Sequence, residues 1–277
     1  MRNCKTHCKV GMLAALAAGT MNSSAQLETL LGDQFEGVTG EISAGFDTQY
    51  FYRGLWFGDD TAWTNIALSK EICENLTGTV NVFYTDVIEN DLDYSEANFG
   101  ANLSWDSGAG TFDLSFVHFQ FFDGFAGDFT DSTTGLEVDS VGTAADQRDA
   151  SEFALTYSTE DFYGFSAHLT AAWDVRIDAG YLEAGIAQSI DLAGFATLDL
   201  SALLGYSLEG YYTFDDAENG FTHALFAAEL PIALKDNVTL TPYVAANLSL
   251  EARDGTNSGV DRDGTEVFYG VNLAVSF

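Results

Sequence analysis

Twelve stretches of this chain alternate apolar and polar residues with period two, near 40–53, 60–72, 75–88, 94–106, 110–122, 150–159, 164–177, 180–191, 195–210, 219–231, 237–251 and 264–277. Period two marks a strand with one face in an apolar medium and the other in a polar one. Strands of about 11–14 residues exceed the usual five or six and suit a tilted bilayer crossing. The connections are sorted by parity. Those at Glu71–Glu74, Asp106–Gly110, Thr159–Gly164, Leu192–Gly194 and Ala233–Asn237 are tight. Those at Gly54–Asp59, Asp123–Asp149, Tyr211–Glu218 and Ala252–Asp263 are longer, while Glu89–Asp93 and Asp178–Ala179 are short but fall on the long side. An even strand number with loops sorted this way predicts an all-β chain, a closed antiparallel up-and-down transmembrane β-barrel of about twelve strands over 39–277.

The seventh stretch shows the facing most plainly. Phe165, Leu169, Trp173, Val175 and Ile177 share one face, while Ser166, His168, Thr170, Asp174 and Arg176 share the other. Aromatic residues gather at strand ends. Tyr50, Phe51, Tyr52, Trp56, Phe57 and Trp63 surround the first outer connection, and Trp105, Phe162, Tyr163, Phe165, Phe195 and Phe277 lie at the opposite rim. Both sets are expected to form interfacial girdles. In the fifth stretch the apolar phase slips from Phe112, Leu114 and Phe116 to Val117, Phe119 and Phe121, which predicts either a bulge or aromatic rings entering the lumen.

The last stretch carries a resemblance. Tyr269, Val271, Leu273, Val275 and Phe277 recur at every second position up to a terminal aromatic residue. This resembles the terminal signal of bacterial outer-membrane β-barrels, and it implies recognition by the barrel assembly machinery and insertion into outer-membrane lipid. A second resemblance lies near the start of the barrel. Phe46-Asp47-Thr48-Gln49-Tyr50-Phe51-Tyr52-Arg53-Gly54 is similar to the Ser-Asp-Tyr-Arg-Phe-Arg-Gly segment of a family of uncharacterised proteobacterial porin-like proteins. That similarity implies a barrel of comparable size with Arg53 near its outer mouth, and it implies no substrate.

Residues 1–25 read as a cleavable export signal: Arg2, Lys5 and Lys9 precede an uncharged stretch, and Ser23-Ser24-Ala25 follow it. Residues 26–38 read as a periplasmic lead or short helix, because Leu27, Leu30, Leu31 and Phe35 recur with helical spacing. Removal of the signal leaves Cys73 alone, so neither an internal disulfide nor a cysteine metal cluster is expected. The formal charge of -32 is made more negative by that removal. A chain so acidic has no basic patch for nucleic acid.

If the apolar faces meet lipid, the lumen inherits carboxylates. By parity Asp47, Asp113, Asp174, Asp199, Glu209 and Glu229 face inward with Glu41, Glu96, Glu152, Glu183, Glu251 and Glu266, against Arg53 and Arg176. Such a lumen attracts cations. The expected function is passive passage of small solutes with a preference for cations. The alternative is a non-conducting surface barrel, adhesin or structural, whose acidic loops bind a partner. Within the long connection Asp123, Asp128, Asp131 and Asp139 are candidates for a constriction or a receptor surface. Asp261 and Asp263 in the last outer loop could hold Ca²⁺ at the rim, although their spacing is not that of an EF-hand; no other cofactor is expected. No enzyme is expected either. His118, His168 and His223 sit in no nucleophile or metal motif, and His168 and Asp174 lie roughly 20 Å apart along an extended strand.

Overall fold

The computed structural model describes residues 36–89, 95–122, 129–130, 137–138, 149–211, 219–250 and 264–277. The proposed export signal and most of the periplasmic lead therefore lie outside the described residues, as do Asp123, Asp128, Asp131, Asp139, Glu251, Asp261 and Asp263.

Among the described residues, twelve long strands form one antiparallel ring. They are β1 (Val38–Tyr52), β2 (Leu55–Cys73), β3 (Leu76–Glu89), β4 (Ser95–Asp106), β5 (Thr111–Phe121) and β6 (Asp149–Phe162). The second half comprises β7 (Phe165–Asp174), β8 (Ala179–Ala193), β9 (Ala196–Leu208), β10 (Gly220–Glu229), β11 (Val238–Ser249) and β12 (Thr265–Ser276). Each strand pairs with its sequence neighbours, and β12 closes on β1 in the register Glu41↔Ser276 to Asp47↔Gly270. The seam is completed by reciprocal backbone bonds between Gly40 and Phe277 at 2.9 Å. Closure removes the unpaired edges that an open sheet would expose.

A short thirteenth strand, Ile232–Lys235, continues β10 after an interruption and pairs mainly with β11. The expected strand 219–231 breaks because Pro231 has no N–H to give the ladder. A two-residue pairing of Phe129–Thr130 with Glu137–Val138 lies within the long connection.

Apolar residues cover the outside. Leu169, Val267 and Tyr269 are about three-fifths exposed, and Leu114, Phe153 and Phe226 about half. A continuous exposed apolar surface of this kind is suited to hydrocarbon rather than water. Trp105, Phe162, Tyr163 and Phe195 are also exposed, at the short-turn rim expected for them.

Four expectations are corrected. The connection after β1 is not a long loop: β1 and β2 continue to Tyr52↔Leu55 and leave only Arg53 and Gly54 as the turn. Both have positive φ, 49° and 75°, the combination a two-residue hairpin of the type I′ class requires. The aromatic set around that turn forms no girdle, because it folds inward. β7 ends at Asp174, whose Oδ1 accepts from the backbone N–H groups of Arg176 and Ile177, so Arg176 sits in a turn and not on a luminal strand face. Glu209 follows the end of β9 in another turn, exposed with φ 56°, so it does not line the lumen wall.

β5 resolves the alternative posed by its apolar phase. Its pairing to β4 and β6 runs without a register shift. Phe119 points inward and is 7% exposed, so the phase slip marks a ring entering the lumen.

Candidate functional site: the luminal hairpin

Up to Asp47, β1 pairs with β12 on one side and β2 on the other. Beyond Asp47 it leaves β12. The Thr48 hydroxyl takes over the exchange, donating to the Tyr269 carbonyl and accepting from the Tyr269 N–H, both at 3.1 Å. A short polar side chain thus substitutes for the lost backbone partner. β2 is paired with β3 only from Asp59 onward, where Asp59 meets Glu89. Asp60 adopts φ 49° at this departure, and a register shift follows between Tyr50 and Phe51. The irregular backbone takes residues 48–58 out of the ladders of both flanking strands and re-aims them.

The freed hairpin crosses the lumen. In a twelve-strand ring the neighbours of β1 and β2 are β12 and β3, yet the tip contacts strands on the far side. The Tyr50 phenol donates to Glu96 on β4 at 2.6 Å, and the Tyr52 phenol to Glu152 on β6 at 3.2 Å. Arg53 forms an ion pair with the same Glu152 at 2.5 Å. Its guanidinium carbon lies 4.3 Å from the ring centre of Tyr181 on β8 and 5.6 Å from that of Tyr211. The Gly54 carbonyl accepts from Asn247 on β11 at 3.4 Å. A Cβ on Gly54 would overlap the ring of His223 on β10, so the backbone approaches that wall as only glycine allows.

The socket is deeply buried. Arg53 retains 11% side-chain exposure and Glu152 4%, while Tyr181, Tyr211 and His223 retain 0%, 1% and 2%. A buried charge is tolerated only when it is paired and hydrogen-bonded. Glu152 meets that condition by accepting from Tyr52 and Arg53 on one oxygen and from Tyr211, at 2.8 Å, on the other. Burial lowers the pKa of Arg53, but Tyr52, Tyr211 and Glu152 raise it by more, and the net direction is upward. The Tyr211 phenol is pushed well above its ordinary value, by burial first. A charged guanidinium and a neutral phenol therefore face Glu152.

Phe119 packs against the Tyr52 ring at 5.4 Å, and Phe51 against the inward Phe268 at 4.9 Å. These contacts fill the outer lumen around the hairpin. Nearer the short turns the inner wall is polar and less covered, with Asn102 bonded to Asp113 at 3.1 Å and the Thr156 and Thr170 hydroxyls 2.9 Å apart.

The candidate residues separate into groups. Asp47 lies at the hairpin root, accepting from Tyr243 at 2.7 Å. Arg53 is the hairpin tip, and Asp174, 2% exposed, is the register partner of Glu152. Asp113 lies with Asn102, and Asp199 pairs in register with Glu229 on the wall nearer the short turns. Arg176 and Glu209 occupy outer turns, and Tyr269, Leu273 and Val275 face outward on the closing strand beside Phe277. The residues that parity alone did not single out are Tyr50, Tyr52, Tyr181, Tyr211 and His223. His168 is matched with Glu183 across the β7–β8 ladder at 3.0 Å, rather than with Asp174 on its own strand.

The sequence matches no protein-family model and no curated protein. Solved structures match in fold. The COG4313 outer membrane channel from Pseudomonas putida F1 superposes with a TM-score of 0.50 at 9% identity, covering 87% of this chain and 95% of that one. A KdgM porin gives 0.47 at 11% identity over 86% of this chain and 99% of that one. A NanC porin gives 0.47 at 8% identity over 84% and 98%. What the chain shares with the COG4313 outer membrane channel is the fold, a closed antiparallel β-barrel.

Proposed function

We propose that this chain forms an outer-membrane channel for small solutes that prefers cations, with its outer mouth controlled by the β1–β2 hairpin. The observation that carries this reading is the charge of the inner wall. By strand facing, Asp113, Asp199 and Glu229 lie on the inner wall nearer the short turns, with Glu41 near the same rim. Arg53, which the hairpin carries into the lumen, is engaged by Glu152 at the opposite end. Carboxylates around a confined aqueous path with low-dielectric walls concentrate cations and repel anions. Arg53 does not offset them, because its charge is spent within the socket.

The test is a reversal-potential measurement across planar bilayers under a KCl gradient. The wild type is expected to show a cation-directed potential, and Asp199→Asn with Glu229→Gln to move it toward zero. Absence of conductance in a folded, inserted barrel with the hairpin released would sink the channel reading in favour of a non-conducting surface barrel. A potential unchanged by the double substitution would sink the proposed origin of the preference.

A further inference from the structure

The socket around Arg53 has the composition of a recognition site for an organic cation, and the occupant is part of the chain. The geometry points to a guanidinium-bearing small solute as its free ligand, competing with Arg53 for the Glu152–Tyr181–Tyr211 cage and releasing the hairpin when it wins. This rests on the cation-preferring channel reading and names the solute class that its outer mouth would recognise.

Three observations carry it. First, the cage is separate from the hairpin: Glu152 is on β6, Tyr181 on β8 and Tyr211 follows β9, none of them within residues 48–58. Second, its parts are already fixed without Arg53. The Tyr181 phenol donates to Glu183 at 2.8 Å, and the Tyr211 phenol holds Glu152 at 2.8 Å, so both rings and the carboxylate are oriented by their own bonds. Third, Glu152 is the register partner of Asp174 on β7, so a second carboxylate stands beside the cage. A second carboxylate beside the cage adds to its attraction for a cation.

The shape of the cage selects among cations. A planar guanidinium can lie over an aromatic face while donating to a carboxylate in its own plane, whereas an ammonium is a compact, strongly hydrated point charge. Arg53 makes both contacts, over Tyr181 and to Glu152. A tethered group competes at an effective concentration in the millimolar range, so a free solute needs about that concentration to displace it. Such a threshold suits a channel that must release what it recognises.

The test uses the full chain folded in detergent micelles and methylguanidinium as the probe, with saturation transfer to its methyl protons read by NMR. Arg53→Ala and Arg53→Gln vacate the cage in two ways, and heat-modifiable migration on a gel identifies which is folded. The folded variant is expected to give a saturable signal about tenfold stronger than wild type, and about tenfold stronger than with methylammonium, which is more strongly hydrated and lacks the planar fork. Adding Glu152→Gln should abolish it. The proposal is overturned if the folded variant binds no better than wild type, or if binding survives Glu152→Gln. Reversal potentials on the same protein separate the two readings: binding through Glu152 without cation preference sinks the channel reading alone, and cation preference without binding sinks this one.

Discussion

The Tyr243 phenol donates to Asp47 at 2.7 Å, joining residues 196 positions apart at the point where β1 leaves the wall. Below that point β1 is a barrel strand; above it, the same strand is luminal. Tyr243→Phe keeps the ring and removes the donor, and a hydrogen bond of this kind contributes about 1–3 kcal/mol. The variant is expected to unfold at lower denaturant in liposomes and to show more frequent openings in bilayer recordings. Unchanged gating would show that the hairpin root does not depend on this bond.

Gly54→Ala should release the tip. Its φ of 75° disfavours any side chain by about 1–2 kcal/mol, and the added methyl would overlap the His223 ring. Conductance is expected to rise while heat-modifiability is retained. Combining it with His223→Ala removes the overlap but leaves the backbone cost, so the double variant should recover only part of the closed time. Full recovery would mean that the backbone conformation contributes little.

Glu152→Gln should expose Arg53 to trypsin. In the native barrel the Arg53 side chain is 11% exposed and held by the ion pair. Breaking a buried pair by neutralising one partner costs about 3–5 kcal/mol, which corresponds to on the order of a hundredfold or more in the open population. Cleavage after Arg53, identified by fragment mass, should accelerate accordingly. A cleavage rate equal to that of the wild type would contradict the role given to Glu152.

Gly40→Val should weaken the seam without touching the mouth. The Phe277 ring lies where a Cβ on Gly40 would go, and overpacking of this kind costs about 1–3 kcal/mol. The midpoint of denaturant unfolding should fall, with single-channel conductance unchanged. Phe277→Ala should make the valine tolerable, and failure of that rescue would place the defect elsewhere along β1 and β12.

The wall was legible in the sequence because a strand between lipid and water repeats every second residue, and nothing in β7 or β12 disturbs that repeat. The hairpin was not. From Tyr50 to Phe57 six of eight residues are aromatic or apolar, so neither face is distinguished and the segment reads as a rim loop. Its turn also has no visible polarity signal, because Arg53–Gly54 uses the same positive-φ pair as the exposed Tyr163–Gly164 turn at the other end. The available clue was indirect: the phase slip in β5 that brings Phe119 under Tyr52. The pairing of Arg53 with Glu152 across 99 residues could not be read from spacing within any strand.

The socket that receives the first hairpin takes one residue each from β4, β6, β8, β10 and β11. Only a contiguous run of at least eleven of the twelve strands contains both the hairpin and a complete receptacle for it. Docking of the tip therefore reports that the remaining strands have arrived in register, and a barrel that stalls partway has nothing to seal itself with. Quality of assembly and tightness of the resting state become one quantity, so a partly built copy would betray itself as a leak.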